Sequence, residues 1–343
     1  QALATCTAQL SLMLRTGTSL VDALDALAEQ TQDVRLYNVL VSVRGQVAGG
    51  STLAAALGGH PEAFDAFYVS AVRSGEATGR LPEVFARLEQ TLRKRVEIRS
   101  SLLVAMIYPT VVSLMATFAV IFVMTYVLPK FIAIFKSSNV PLPVPTRMLM
   151  SMSNFLVSYW YIVLLAVIVL PAGTYLYITS PKGSRVFDGL VLRLPIFGYL
   201  TNMLQTSLML RTVGTLISSG VPLVEGLEVA QEACKNTRFK ALIRDVSARI
   251  TQGEDLSASF GRSDLLAPTI KQMLTTGERS GNLAKVMNSM AEFLDDETDK
   301  QLKKLSAIFE PLIIIAMGIV VGFIAVSILL PLFKLTAAAR GGA

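Results

Sequence analysis

Apolar and polar positions in this chain recur with the period of a helix. Within 81–92, Leu81, Val84, Phe85, Leu88 and Leu92 follow one another at three and four residues while Glu83, Arg87 and Glu89 fill the gaps. That spacing puts the apolar side chains on one stripe and predicts an amphipathic helix. Pro82 suits its first turn, where the missing N–H costs nothing. About 200 residues later Leu283, Val286, Met287, Met290, Phe293 and Leu294 draw the same stripe. Both stripes continue, free of Gly and Pro for over twenty residues, towards a long apolar run. Upstream, Gly17, Gly45, Gly49 with Gly50, Gly58 with Gly59 and Pro61, Gly75 and Gly79 cut the first hundred residues into about six helices. No run alternates apolar and polar residues between turn signals as a strand does. The expected fold class is all-α.

Three stretches, 100–129, 148–181 and 311–333, contain no Asp, Glu, Lys or Arg. Roughly 20 apolar residues suffice to cross the hydrocarbon core of a bilayer, so each stretch is long enough for a transmembrane helix. They account for a composition that is 52% hydrophobic and only 16% charged. The first begins too far along the chain to be a cleaved signal peptide. The net charge is +6, and its distribution says more than its sum. Arg93, Lys94, Arg95 and Arg99 precede the first run, Lys182, Arg185 and Arg193 follow the second, and Lys300, Lys303 and Lys304 precede the third. The opposite flanks carry only Lys130, Lys136, Arg147, Lys334 and Arg340. The positive-inside rule then makes the two large polar segments cytoplasmic.

The polar segments are copies of each other. At a shift of 202 or 203, LRTGTSLVDAL (14–24) lies over ISSGVPLVEGL (217–227), VAGGSTLAAAL (47–57) over ITQGEDLSASF (250–260), and GEATGRLPEV over GERSGNLAKV. Pro109 and Pro129, which frame the first apolar run, fall on Pro311 and Pro331. The expected architecture is a polytopic membrane protein built on a tandem duplication. Its parts are a cytoplasmic helical bundle (1–100), transmembrane helix (101–129), outer loop (130–155), second transmembrane helix (156–179), second bundle of about six helices (180–308), third transmembrane helix (309–333) and outer tail (334–343). The second span is needed to return the chain so that both copies share one side of the membrane.

Chemistry-bearing motifs are few. The glycine pairs GEATGR and GERSGN lack the spacing and the lysine of a phosphate-binding P-loop. One histidine, no CxxC and no HExxH leave a catalytic metal without ligands. We therefore expect no catalytic residues, no metal site and no cofactor. Cys6 and Cys234 lie in cytoplasmic segments and are expected to be small buried residues rather than a disulfide. His60, beside Pro61, reads as a loop residue. The run Asp295, Asp296, Glu297, Asp299 precedes Lys300, Lys303 and Lys304 at helical spacing, which reads as a solvated helix rather than a cation site. RKRVEIR (93–99), beside a span, suits lipid headgroups and topology better than nucleic acid.

The duplicated G-E-x-x-G is the sharpest signal. Gly75, Gly79, Gly277 and Gly281 permit positive φ or close helix approach, so each pair turns one helix into the next. Glu76 and Glu278 recur while their neighbours change, which leaves two roles open: an ion pair that holds the turn, or a contact with a partner. In the third span Gly318, Gly322 and Ala325 share one face, a pattern that lets membrane helices pack closely. No ionisable residue interrupts a span, which argues against a proton or ion pathway.

Taken in order, the duplicated plan, YP and LPKF at the two ends of the first span, VPLPVPTRML, LPIFG (194–198), SSGVPLVEGLEVA (218–230) and both GExxG turns resemble the inner-membrane platform proteins of type II secretion and type IV pilus machines. The resemblance covers essentially the whole chain. It implies a non-enzymatic hub in the bacterial inner membrane that couples a hexameric assembly ATPase to the movement of pilin or pseudopilin subunits into or out of a filament. Other inner-membrane assembly proteins, membrane lipid and further copies of the chain are implied partners, and nucleic acid is not. The motif residues Gly75, Glu76, Gly79, Gly277, Glu278 and Gly281 are its candidate partner-binding positions. Set against the family's pattern, the first residue is expected to fall at the opening helix of the first bundle, after the position of the short extension typical of the family. Two other classes compete: a transporter built from internal repeats, whose repeats normally place broken helices at the midplane, and a membrane-bound signalling scaffold.

Overall fold

The computed structural model describes residues 2–130, 144–159 and 195–340, with isolated positions between 161 and 183. Every regular element among them is helical. The first repeat forms α1 (Ala2–Arg15), α2 (Leu20–Gln30), α3 (Val34–Ala48), α4 (Leu53–Gly58), α5 (Ala66–Thr78) and α6 (Leu81–Phe122), the last followed by a π-helical turn, Val123–Val127. After α7 (Val144–Ser158) the second repeat forms α8 (Pro195–Ser218), α9 (Leu223–Ala233), α10 (Thr237–Thr251), α11 (Leu256–Gly261), α12 (Pro268–Arg279) and α13 (Leu283–Arg340). The helix starts follow from side-chain caps. Asp33 Oδ1 accepts the Arg35 and Leu36 amides at 2.9 and 3.2 Å, Asp65 Oδ1 accepts that of Tyr68 at 2.9 Å, and Asn236 does the same for α10. The duplication extends to the backbone: among the described residues the positive-φ glycines are three matched pairs, Gly17 with Gly220, Gly50 with Gly253 and Gly79 with Gly281.

The chain divides into two compact units. One contains the bundles of both repeats, as far as residues 101 and 301. Phe67, Phe85, Leu24, Leu27 and Leu53 form the centre of the first repeat's core, and Phe239, Phe260, Met209 and Leu210 that of the second. The two bundles are fused rather than separate: Leu216, Val221 and Val229 of the second repeat belong to the first repeat's core.

The other unit holds the apolar runs. Among the described residues, α6 with its continuation and α13 are long and apolar enough to cross a membrane, and only 11% of the most apolar window of each is buried. A soluble core helix would bury that window. Here side chains such as Phe118 and Ile319 face outwards, as in a helix solvated by lipid. Of the expected outer loop, residues 131–143 lie outside the described residues, whereas 144–155 belong to α7. That helix packs Leu149 with Met124, Leu128 and Ile324. Its buried hydroxyls find main-chain acceptors: Ser153 Oγ donates to Met124 O and Thr146 Oγ1 to Ser327 O, both at 2.6 Å. The expected second span, 156–179, lies largely outside the described residues; those described at 161, 162, 165, 169, 173 and 176 are helical.

Candidate functional site

The two GExxG segments have the same geometry. α5 ends on Gly79 in the left-handed region at φ +70°, and α12 is followed by Gly281 at +68°. In each case two amides turn back on the helix: Arg80 N to Gly75 O at 2.8 Å with Gly79 N to Glu76 O at 3.2 Å, and Asn282 N to Gly277 O at 2.9 Å with Gly281 N to Glu278 O at 3.1 Å. This is a Schellman close, and it requires a residue without a Cβ penalty at C′. The first glycine of each motif has a different task. A Cβ on Gly75 would stand 2.7 Å from Val84 Cγ2, and one on Gly277 3.0 Å from Val286 Cβ. These glycines therefore set how closely each helix approaches the next.

The glutamate between them reaches across the bundle. Glu76 Oε1 and Oε2 accept the amides of Leu53 and Ala54 at 2.7 and 3.1 Å, and Glu278 accepts those of Leu256 and Ser257 at 2.7 and 3.0 Å. Each carboxylate thus takes two orphan donors at the start of a six-residue helix, α4 or α11, where the helix dipole also favours negative charge. Among the described residues neither glutamate forms the ion pair considered from the sequence. Beside Glu76 a groove of about 410 Å³ opens between Thr52, Ala55, Arg73 and Ala77. We expect Gly75→Ala to lower stability by about 1–3 kcal/mol through overpacking. Gly79→Ala should cost about 1–2 kcal/mol from left-handed backbone alone, because open space surrounds its Cβ position. Denaturant melting of the purified protein checks both, and equal melting of wild type and Gly75→Ala would refute the close approach.

The second arrangement joins the repeats. The carbonyls that end α8 are taken by first-repeat side chains: the Arg87 guanidinium donates to Ser218 O, and Ser74 Oγ donates to Ser219 O at 2.6 Å. A cation at a helix C-terminus also meets the negative end of its dipole. Thr91 and Thr215 place their hydroxyls 3.4 Å apart, both buried, while Arg73 reaches Glu225 at the exposed rim, also at 3.4 Å. Between α6, α8 and α13 lies a polar groove of about 560 Å³ lined by Arg87, Lys94, Arg211, Asn288, Glu292 and Asp296.

The acidic run departs from expectation. Asp295 is fully buried, not solvated, and its carboxylate is held by Ser207 Oγ and the Arg211 guanidinium. Arg211 is the only charged residue between 194 and 224, and a lone charge in an apolar helix was the available signal that a buried partner must exist. Glu297 and Lys300 do pair along the helix at 3.7 Å, as expected. The basic run is partly internal too: Lys94 pairs with Glu97 at 3.3 Å, and Arg95 pairs with Asp65 at 2.9 Å and covers the Phe67 ring. In α13, Gly318, Gly322 and Ala325 are exposed, and open space surrounds the two glycines. Within the chain the helix packs instead through Val320, Ile324 and Ile328. Cys6 and Cys234 are free and buried, and His60 bonds Ser42 and Glu62 in its loop. Among the described residues no three metal-ligating side chains converge. What the geometry offers is a set of rigidly held helix ends and polar grooves, suited to contact.

A family model described as "Type II secretion system (T2SS), protein F" matches residues 6–129 and 209–331, one match per repeat. The chain is similar to "Type II secretion system protein F" of Aeromonas hydrophila, 34% identical over 97% of this chain and 86% of that one. It is similar to "Type IV pilus assembly protein PilC" of Thermus thermophilus, 34% identical over 95% of this chain and 80% of that one. "Type II secretion system protein F" of Vibrio cholerae is 31% identical over 97% of this chain and 82% of its own length.

Proposed function

Because the chain belongs to the family of type II secretion system protein F and type IV pilus assembly protein PilC, we propose that it is the inner-membrane platform of such a machine. In this role it is not an enzyme. It receives the force of a cytoplasmic hexameric ATPase on its helical unit and passes pilin or pseudopilin subunits between bilayer and filament. The observation that carries this reading is the pairing, in each repeat, of one helical bundle with one bilayer-length helix. The excess of lysine and arginine beside the bundles supports a cytoplasmic position for them.

The GExxG residues contribute to partner binding through the short helices they anchor. With Glu76 holding the start of α4 and Glu278 that of α11, the surfaces next to them are stiff, and a stiff surface loses little entropy on docking.

The full chain in lipid nanodiscs should retain the assembly ATPase of the same cell, and deletion of its gene should either remove surface fibres or trap exported proteins inside. Absence of ATPase binding, together with solute uptake into proteoliposomes, would replace this reading with that of a transporter.

A further inference from the structure

The two repeats are alike in fold but unlike in what covers them. Within the chain, the first repeat uses one face of α5 and α6, and the second uses another, the end of α8 with α9. Such a contact is heterologous, so each repeat keeps free the surface its sister has engaged. The counterpart of the α8–α9 face is the end of α1 with α2. The counterpart of the α5–α6 face is α12 with the start of α13.

Exposure follows this division. Thr215 is 5% exposed and its counterpart Leu12 is 64% exposed; Thr91 is 3% exposed and its counterpart Phe293 is 56% exposed. Ala71 is 0% exposed, against 39% for its counterpart Met273. Small side chains occupy the covered positions, and large apolar ones stand in solvent at the same positions of the other copy. Exposed apolar groups concentrated on one face mark an interaction surface. The two faces also fit each other. Thr91 and Thr215 meet across the contact inside the chain, so Phe293 and Leu12 would meet if the same contact formed between two chains.

We propose that a second copy of this chain docks here, the α12–α13 face of one protomer around Phe293 seating on the α1–α2 face of the other around Leu12. The contact repeats between chains the one that joins the repeats within a chain. Made reciprocally about a two-fold axis, the contact would cover both faces of each chain. The inference rests on the repeat and its burial pattern, not on the function proposed above.

Site-specific cross-linking tests it. Two differently tagged full-length chains, one Leu12→Cys and the other Phe293→Cys, are co-expressed and oxidised in native membranes. A mixed-tag species of doubled mass that disappears on reduction is expected. Pairing Leu12→Cys with Val34→Cys, at an equally exposed position on α3, should yield none. The native Cys6 and Cys234 do not interfere, because burial pushes both thiols up to about 11 and leaves little thiolate at neutral pH. Phe293→Glu should weaken self-association of the purified protein roughly tenfold or more, the loss of an apolar anchor at the centre of an interface, while the dissociated chain, at high dilution, melts as wild type does. Absence of the mixed species, equal yield with the Val34→Cys control, or undiminished association of Phe293→Glu would each overturn the proposal.

Discussion

Asp295→Ala is expected to be the most damaging single substitution in the helical unit, costing about 3–5 kcal/mol, the usual loss when one partner of a buried ion pair is removed. The reason is what remains. Arg211 is almost enclosed, with its side chain 11% exposed, and would keep its charge without an acceptor, while Ser207 would lose its carboxylate as well. Two opposed effects must be separated here, the attraction within the pair and the cost of desolvating each charge. A combined Arg211→Met and Asp295→Leu variant separates them, since replacing both charges with apolar groups is often neutral. Melting of the single variant should fall sharply, and the double variant should recover most of the loss. A single variant as stable as wild type, or a double variant no better than the single, would show that the pair is not the source of stability. The ion pair is specific to the second repeat, because the positions equivalent to Asp295, Arg211 and Ser207 are Arg93, Ala8 and Ala4.

Loss of Glu76 or Glu278 is the second large effect. Hydrogen bonds to a charged acceptor contribute about 1.5–3 kcal/mol, and each glutamate accepts two. Partial exposure of both carboxylates holds the expected cost of Glu→Ala to about 2–3 kcal/mol in either repeat. A six-residue helix cannot persist on its own propensity, so the effect should be local: the amides of 53–58 or of 256–261 should exchange with solvent faster than the rest of the bundle. Glu278→Ala should be the worse of the two. Thr52 Oγ1 still accepts the Ala55 amide at 3.3 Å in the first repeat, whereas Asp255 gives no side-chain cap in the second. Gln should rescue neither, because one of its two terminal atoms presents hydrogens where an acceptor is needed. If both alanine variants keep their melting and their slow exchange while ATPase binding is lost, the glutamates act on the partner directly. Loss of exchange protection together with binding would instead mean that they act through α4 and α11.

Much of this was legible in one dimension. The stripe from Leu81 to Leu92 and the charge-free runs at 100–129 and 311–333 specify helices and bilayer-length segments, because helical period and membrane thickness are local measures that any window of sequence reports. That each GExxG segment turns one helix into the next was legible for the same reason, though not which of its glycines takes positive φ. The role of Gly75 was only half so: positive φ or close approach were equal candidates, and only the position of Val84 chose between them. The target of Glu76 was out of reach, since Leu53 lies on another helix and nothing at its position marks its amide as an orphan. The acidic run misled for a related reason. Four acidic residues followed by three lysines satisfy each other on paper, and burial of Asp295 depends on Arg211, which stands on a helix far away in sequence.

By itself, then, the sequence determined the duplication, the helical class, the apolar segments and the turn that starts each long helix, since each depends on neighbours within a few residues or on a fixed length. Which faces meet was decided only by the tertiary structure. Two nearly equivalent repeats carry nearly equivalent surfaces, and pattern alone cannot say that the first engages through α5 and α6 while the second engages through α8 and α9. Packing makes that choice through long-range terms: a helix end capped by Arg87 and Ser74, a buried threonine pair, and Leu216, Val221 and Val229 completing a neighbour's core. It thereby leaves Leu12 and Phe293, at matching places in the two copies, uncovered.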